Sequence, residues 1–223
     1  MNSFNWKNYL ANYIDLRKAG IHTMLGAWSH YNLIGKSEGR KDTLLPELIL
    51  NSPIFVIRYN YKKRKPYFIK KATDAGFLDI RSLFVEPDTL LLKAKEKFNI
   101  SIKKNGMQLV KLLSHLKAWK TFLKSGLPVA TICEDNVFFY SNFKNYFPIF
   151  YNKTPSDYDI IFIGNNSYII THDGAKKLFL HIKLILTNTP CYIINDVLID
   201  YMVFISDNIP YFKWYNWEWN GDC

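Results

Sequence analysis

Apolar residues along this chain follow two different spacings, and their alternation predicts the class of fold. Leu109, Leu112, Leu113, Leu116, Trp119, Phe122 and Leu123 recur every third or fourth position, which gives a helix one buried face, and Gly126 stands where a C-cap belongs. Ile54-Phe55-Val56-Ile57 is instead a short unbroken apolar run after Pro53. A strand of that kind needs cover on both faces, as in a parallel sheet. Ile80 to Val85, Pro128 to Cys133, Ile160 to Ile163 and Tyr168 to Ile170 read as further strands. Between them fall a helix of about ten residues after Pro66 that ends at Gly76, another from Gly174 to about Ile185, and one starting near Asn195. Strands and helices alternating through residues 53–205 predict an α/β domain with a mostly parallel central sheet flanked by helices.

The first fifty residues do not share this alternation. A first helix is predicted over Trp6, Tyr9, Leu10, Tyr13, Ile14 and Leu16, followed by a glycine-punctuated stretch from Gly20 to Gly39 containing Trp28, Ser29, His30 and Tyr31. Residues 1–50 are therefore set apart as a helical or irregular arm, ahead of a domain of residues 51–223. At the far end, Tyr211 to Trp219 is dense in aromatics. That tail either caps the core, stacks on a sugar or joins a partner.

Composition narrows the setting. With 48% hydrophobic, 17% aromatic and 22% charged residues, the 223-residue chain is globular and long enough to bury a core without covalent staples. Cys133, Cys191 and Cys223 are odd in number and show no C-x-x-C spacing, which argues against a disulfide framework and a structural zinc site and fits a reducing compartment. No signal-peptide pattern opens the sequence and no apolar run reaches the about 18 residues of a membrane span, so a soluble, cytoplasmic protein is expected. The net charge of +10 is concentrated: residues 51–125 hold 17 Lys and Arg against five acids. Such a segment faces nucleic acid, an anionic membrane or phosphorylated small molecules, or is simply a solvated face. No RNA- or DNA-recognition motif accompanies it, so nucleic acid is not the expected partner.

The chemistry concentrates at Glu134-Asp135-Asn136. In open α/β sheets ligands gather at the carboxyl ends of strands, where loops converge and helix N-termini point inward. Two carboxylates in that position after an apolar strand either hold a divalent cation that bridges a diphosphate, or cap a loop.

Here the residues bear a family likeness. Leu113-Ser114-His115-Leu116-Lys117-Ala118-Trp119, followed by Pro128-Val129-Ala130-Thr131-Ile132-Cys133-Glu134-Asp135-Asn136-Val137, resembles glycosyltransferase family 25, whose pattern is a Ser-His-x-x-x-Trp helix leading to a strand ending Glu-Asp-Asp. That family includes lipooligosaccharide and collagen galactosyltransferases. Phe55-Val56-Ile57-Arg58 with the basic run to Arg64 resembles its opening strand and Arg-bearing turn. Tyr158 to Gly164 and Tyr168 to Leu178 resemble its later strand and its Gly-Ala-Lys-Lys-Leu segment, and Asn195-Asp196 resembles the start of a late helix. The likeness covers residues 53–212 and leaves out the arm.

The resemblance implies a GT-A-like fold and an inverting transfer of a hexose (galactose, glucose or an N-acetylhexosamine) from a UDP-sugar to a glycan or protein acceptor, with Mn²⁺ or Mg²⁺. Ile57, Arg58, Arg64, Ser114, His115 and Glu134 are then donor-site residues, Asp135 and Asn136 the metal ligands, and Asp196 the carboxylate base. Each has a plainer alternative: a helix N-cap for Asp196, solvated charge for Arg58 and Arg64, a packed and hydrogen-bonded helix for Ser114 and His115. Two departures from the pattern matter. Asn136 replaces an acid, and the connection between Gly164 and Tyr168 is shorter than the family's acceptor-side loop. A degenerate module that binds nucleotide or glycan without turnover is the alternative function.

Overall fold

The computed structural model describes residues 4–59, 65–98, 106–139, 142–155, 157–164, 166–188 and 213–216. Its centre is a six-stranded sheet of β1 (Ile54–Arg58), β2 (Ile80–Phe84), β3 (Val129–Glu134), β4 (Ile160–Gly164), β5 (Ser167–Thr171) and β6 (Trp214–Asn216), in the spatial order β2-β1-β3-β5-β4-β6. β1 runs parallel to both β2 and β3, and β4 parallel to β6, while β5 is antiparallel to β3 and β4. The sheet is therefore mostly parallel, as its unbroken apolar strands require. The reversed β5 follows from the short link noted in the sequence, because strands joined by two or three residues can only form a hairpin.

All five residues of β1 and all six of β3 are buried, so both faces of the sheet are covered. Alternate residues go to opposite layers. Phe55, Ile57, Ala130, Ile132, Tyr168 and Ile170 pack under α7 (Gly106–Ser125) and α9 (His172–Asn188), joined by Leu90 and Leu91 of α6 (Pro87–Phe98). Ile54, Val56, Val129, Cys133, Ile161 and Ile169 pack under α4 (Pro46–Asn51), α5 (Lys65–Asp74) and α8 (Phe143–Tyr151). Neither α6 nor α8 was foreseen in the sequence. Pro148 inside α8 argues locally against a helix, but Phe143, Phe147 and Tyr151 line up on one face and stack along it.

The N-terminal arm forms α1 (Trp6–Asn12), α2 (Ile14–Lys18), α3 (Met24–His30) and a π-helical turn over Tyr31–Gly35. The single helix expected across Tyr13 is broken there by an extended backbone, φ −120° and ψ 89°. Tyr9 is the hub: it is fully buried, packs edge-on against Phe4, Tyr13 and Tyr31, and its hydroxyl lies 2.9 Å from His30 Nδ1. Leu44, Ile49 and Leu50 instead join the second sheet layer, and Lys7 Nζ meets an Asp173 carboxylate oxygen at 2.7 Å in the first turn of α9.

Two motifs from the sequence interlock at Asp159. Its carboxylate accepts from Lys177 Nζ at 2.9 and 2.7 Å and from the Lys213 amide at 2.9 Å, while its carbonyl accepts from the Thr171 amide at 3.0 Å. Gly174 lies directly against that carbonyl, and a Cβ there would sit inside van der Waals contact with it. Part of the aromatic tail is thereby placed as well: Trp214–Asn216 closes the sheet edge on β4. We expect Gly174→Ala to lower stability by about 1–3 kcal/mol, read as a shift of the urea midpoint, because backbone and not a pliable side chain must yield.

Candidate functional site

From β1 the chain crosses to β2 on one side, then returns past β1 to lay β3 on the other. The connections run on opposite faces, with α5 in one layer and α7 in the other. The carboxyl ends of β1 and β3 thus border a topological switch point, the crevice where open α/β sheets hold their ligands. Arg58 ends β1 and Glu134 ends β3, with Ile57 and Glu134 in register. The Asp135 amide donates to the Ile57 carbonyl at 3.0 Å, which fixes the corner that follows. Arg58 is 5% exposed, with its guanidinium 4.9 Å from the Phe84 ring centroid.

The two adjacent carboxylates serve different surroundings. Glu134 faces α7: its Oε1 lies 3.5 Å from Lys111 Nζ and 3.8 Å from His115 Nε2, at the top of the first layer. His115 is 2% exposed, and its Nδ1 lies 2.8 Å from the Tyr168 hydroxyl, which also accepts from Trp119 Nε1 at 2.8 Å. Burial pushes the Glu134 carboxyl up, but His115 and Lys111 together outweigh it and hold the group below the usual carboxylate range. Burial, with Glu134 adding to it, keeps the Tyr59 phenol above its ordinary value. Ser114 is fully buried and donates to the Val110 carbonyl at 2.5 Å, within its own helix.

Asp135 lies towards the other layer. With Asn136, Val137, Phe138, Tyr67, Phe68 and Lys71 it lines a cavity of about 430 Å³. Tyr67 and Phe138 are both largely exposed and meet edge-on at 6.1 Å, and Lys71 Nζ sits 5.7 Å from the Tyr67 ring centroid. The opening between α5 and the turn after β3 therefore offers apolar ring faces, a cation and a buried carboxylate. Across it, the hairpin between β4 and β5 brings Asn166 to the corner: its carbonyl accepts from the Glu134 amide at 3.0 Å and its Nδ2 approaches Asn136 Oδ1 at 3.5 Å.

Of the residues singled out in the sequence, Arg58 and Glu134 end neighbouring strands and Asp135 and Asn136 line the cavity, while the Glu134 side chain turns to α7. Ser114 and His115 lie beneath the corner in α7, and the Ile57 side chain lies in the core, so that only its carbonyl borders the corner. Arg64 and Asp196 fall outside the described residues. Sequence reasoning missed the cavity's aromatic and basic wall; Tyr67 and Lys71, one helical turn apart on α5, were the available signal. It also missed Lys111 and Tyr168 as partners of the Glu134 cluster. No group of three or more His, Cys, Asp and Glu is placed to hold a metal ion among the described residues. Asp135 and Asn136 offer two oxygen ligands, which suits a hard cation that takes its remaining ligands from water and a diphosphate but not a dedicated protein cage.

No family model matches the chain, so the likeness to glycosyltransferase family 25 stays a likeness of motifs. No curated protein matches either. Among solved structures, the chain is similar to the "crystal structure of a glycosyltransferase involved in the glycosylation of the major capsid of PBCV-1", at 10% identity and a TM-score of 0.42, over 75% of this chain and 82% of that one. A likeness so remote carries neither activity nor substrate across. Among the described residues no helix is long and apolar enough to cross a membrane.

Two outcomes follow from the Glu134 cluster. Tyr168→Phe leaves the buried Trp119 indole N–H without its acceptor, which is expected to cost about 1–3 kcal/mol in chemical denaturation. Because the folded-state pKa of Glu134 is depressed, its stabilising contribution is present above the unfolded-state value and lost as pH falls through the folded one. The stability gap between the native protein and Glu134→Gln should therefore shrink as urea melts are moved from neutral pH to below about 4.

Proposed function

We propose that the chain is a glycosyltransferase that binds a UDP-sugar in the crevice between β1 and β3, on a GT-A-like domain of residues 51–223, and transfers the hexose with inversion to a glycan or glycoprotein acceptor. One observation carries this reading: Arg58 and Asp135 directly follow the paired residues Ile57 and Glu134 at the switch point, and Asp135 and Asn136 line a cavity with an aromatic and basic wall. Tyr67 and Phe138 suit the flat face of a uracil base, and Lys71 and Arg58 suit phosphate oxygens. Of the motifs shared with family 25, the strand ending at Arg58 and the strand ending Glu134-Asp135-Asn136 reach this edge of the sheet, while Gly174 and Lys177 lie at its opposite end beside Asp159.

In the reaction, the acceptor hydroxyl attacks the anomeric carbon from the face opposite the diphosphate. The bond to the phosphate oxygen breaks as the new glycosidic bond forms, and UDP carries the electron pair away. Asp196 is the proposed base that takes the hydroxyl proton, and Arg58 and Arg64 hold the diphosphate as its charge grows. Asp135 and Asn136 are the proposed ligands of Mn²⁺ or Mg²⁺, which when bound would offset part of that charge. Glu134, His115 and Ser114 hold the corner from below.

A second reading has its own motive. Asn136 carries no charge where the resemblance expects an acid, and the β4–β5 hairpin offers little acceptor surface, so a module that binds nucleotide or glycan without turnover fits the same cavity.

Thermal melts with UDP-galactose, UDP-glucose and UDP-N-acetylglucosamine, with and without Mn²⁺, test both readings. A donor at a hundredfold its Kd is expected to add about 2.7 kcal/mol of stability. Asp135→Ala should remove the metal-dependent part of the shift and abolish UDP release. A shift without UDP release for any acceptor favours the non-catalytic module, and no shift with any donor sinks both.

A further inference from the structure

The outer face of the N-terminal arm has no part in the sugar-nucleotide reading. α3 and the π-helical turn after it are apolar on two sides. Ala27, Tyr31 and Gly35, four residues apart, face inward and pack around Tyr9; a Cβ at Gly35 would collide with the Tyr9 hydroxyl. Leu25, Trp28 and Leu33 fall on the other side at helical spacing and are 73%, 51% and 80% exposed, with Met24 and Ile34 beside them at 61% and 46%. Scattered exposed apolar residues are ordinary, but five large ones within eleven positions of one helical segment are not.

Charge decides what covers this face. Arg17, Lys18 and His22 stand exposed just before α3, and Lys36 stands exposed just after the π-helical turn. The two acids near them are engaged elsewhere: Arg40 binds Asp15 at 2.7 Å and Glu38 at 2.5 Å. Among the described residues no acid pairs with Arg17, Lys18 or Lys36. The patch thus has an apolar centre containing a tryptophan, with cations at both ends.

We infer that residues 14–36 dock the protein onto an anionic lipid surface, with Leu25, Trp28 and Leu33 entering the boundary between headgroups and acyl chains and Arg17, Lys18 and Lys36 meeting the headgroup phosphates. An apolar face of this size carrying Trp and flanked by Lys and Arg is what binds a helix in the plane of a membrane. A second copy of the chain would bring like charges together at the same rim, which disfavours a self-interface.

Sedimentation of the full chain with vesicles of phosphatidylcholine alone, and of phosphatidylcholine mixed with phosphatidylserine, tests the inference. The protein is expected to pellet with the mixed vesicles and much less with the neutral ones, and salt should weaken the binding. Leu25→Glu with Leu33→Glu should weaken it by roughly tenfold or more. Lys18→Glu with Lys36→Glu should abolish the preference for the anionic vesicles. All four side chains are exposed, and an unchanged thermal melt confirms the fold of each variant. Failure to pellet with either vesicle overturns the inference, as does equal binding to both. A dimer in solution that Leu25→Glu with Leu33→Glu dissolves would assign the face to a second copy instead. None of these outcomes depends on whether the crevice binds a UDP-sugar.

Discussion

The Tyr168 hydroxyl takes the Trp119 indole hydrogen and meets His115 Nδ1, each at 2.8 Å, and this buried junction fixes how α7 lies on the sheet. Tyr168 stands on β5 in register with Ile132 of β3, so the bond reaches from the reversed strand to the helix over the strand that carries the acidic corner. Because His115 is held from one side by Tyr168, its other nitrogen is left facing Glu134. The orientation of Glu134 is thus set from beneath. In the low dielectric of a buried cluster such a chain of contacts has few alternative arrangements, and it holds the corner in place more firmly than loop packing would.

The end of β3 then divides the labour. Glu134, the last strand residue, points to the face of Ala130 and Ile132 under α7, and Asp135 opens the turn that follows and points to the cavity beside α5. Glu134 is spent on Lys111 and His115 in one layer, and Asp135 lines the cavity in the other. In sequence the pair looks like a bidentate cation site. In three dimensions one acid is held against α7 and the other lines the cavity, which is why Asn136, the next residue of the turn and exposed, matters to any cation more than Glu134 does.

How far the sequence discloses this depends on range. Short, mainly apolar runs at 54–57 and 129–133 locate β1 and β3 because burial on both faces leaves little room for polar residues, Thr131 being the exception, and the spacing from Leu109 to Leu123 locates α7 through its one buried face. β6 was hidden: its partner β4 is more than fifty residues away, and only a long-range pairing makes the Trp214–Asn216 segment a strand. α8 was hidden by Pro148. The acidic corner was legible as a place but not as a geometry, since the Tyr168 junction and the Tyr67-Lys71 wall depend on elements that no local pattern brings together. Gly174 and Lys177 stood out through a family pattern; in the structure they are occupied in closing the sheet around Asp159.

The Arg40 clamp bears on how the arm behaves when something touches it. Its guanidinium joins Asp15 and Glu38 and lies over the Tyr13 ring at 4.8 Å, tying the segment after the π-helical turn back to α2. A lysine there would keep the charge but not the fork that reaches two carboxylates and a ring together. The arm is accordingly preorganised. A segment that folds only on contact gives up much of its interaction free energy to its own ordering; here the folded arm has already met that cost, so apolar area it buries goes more fully into affinity.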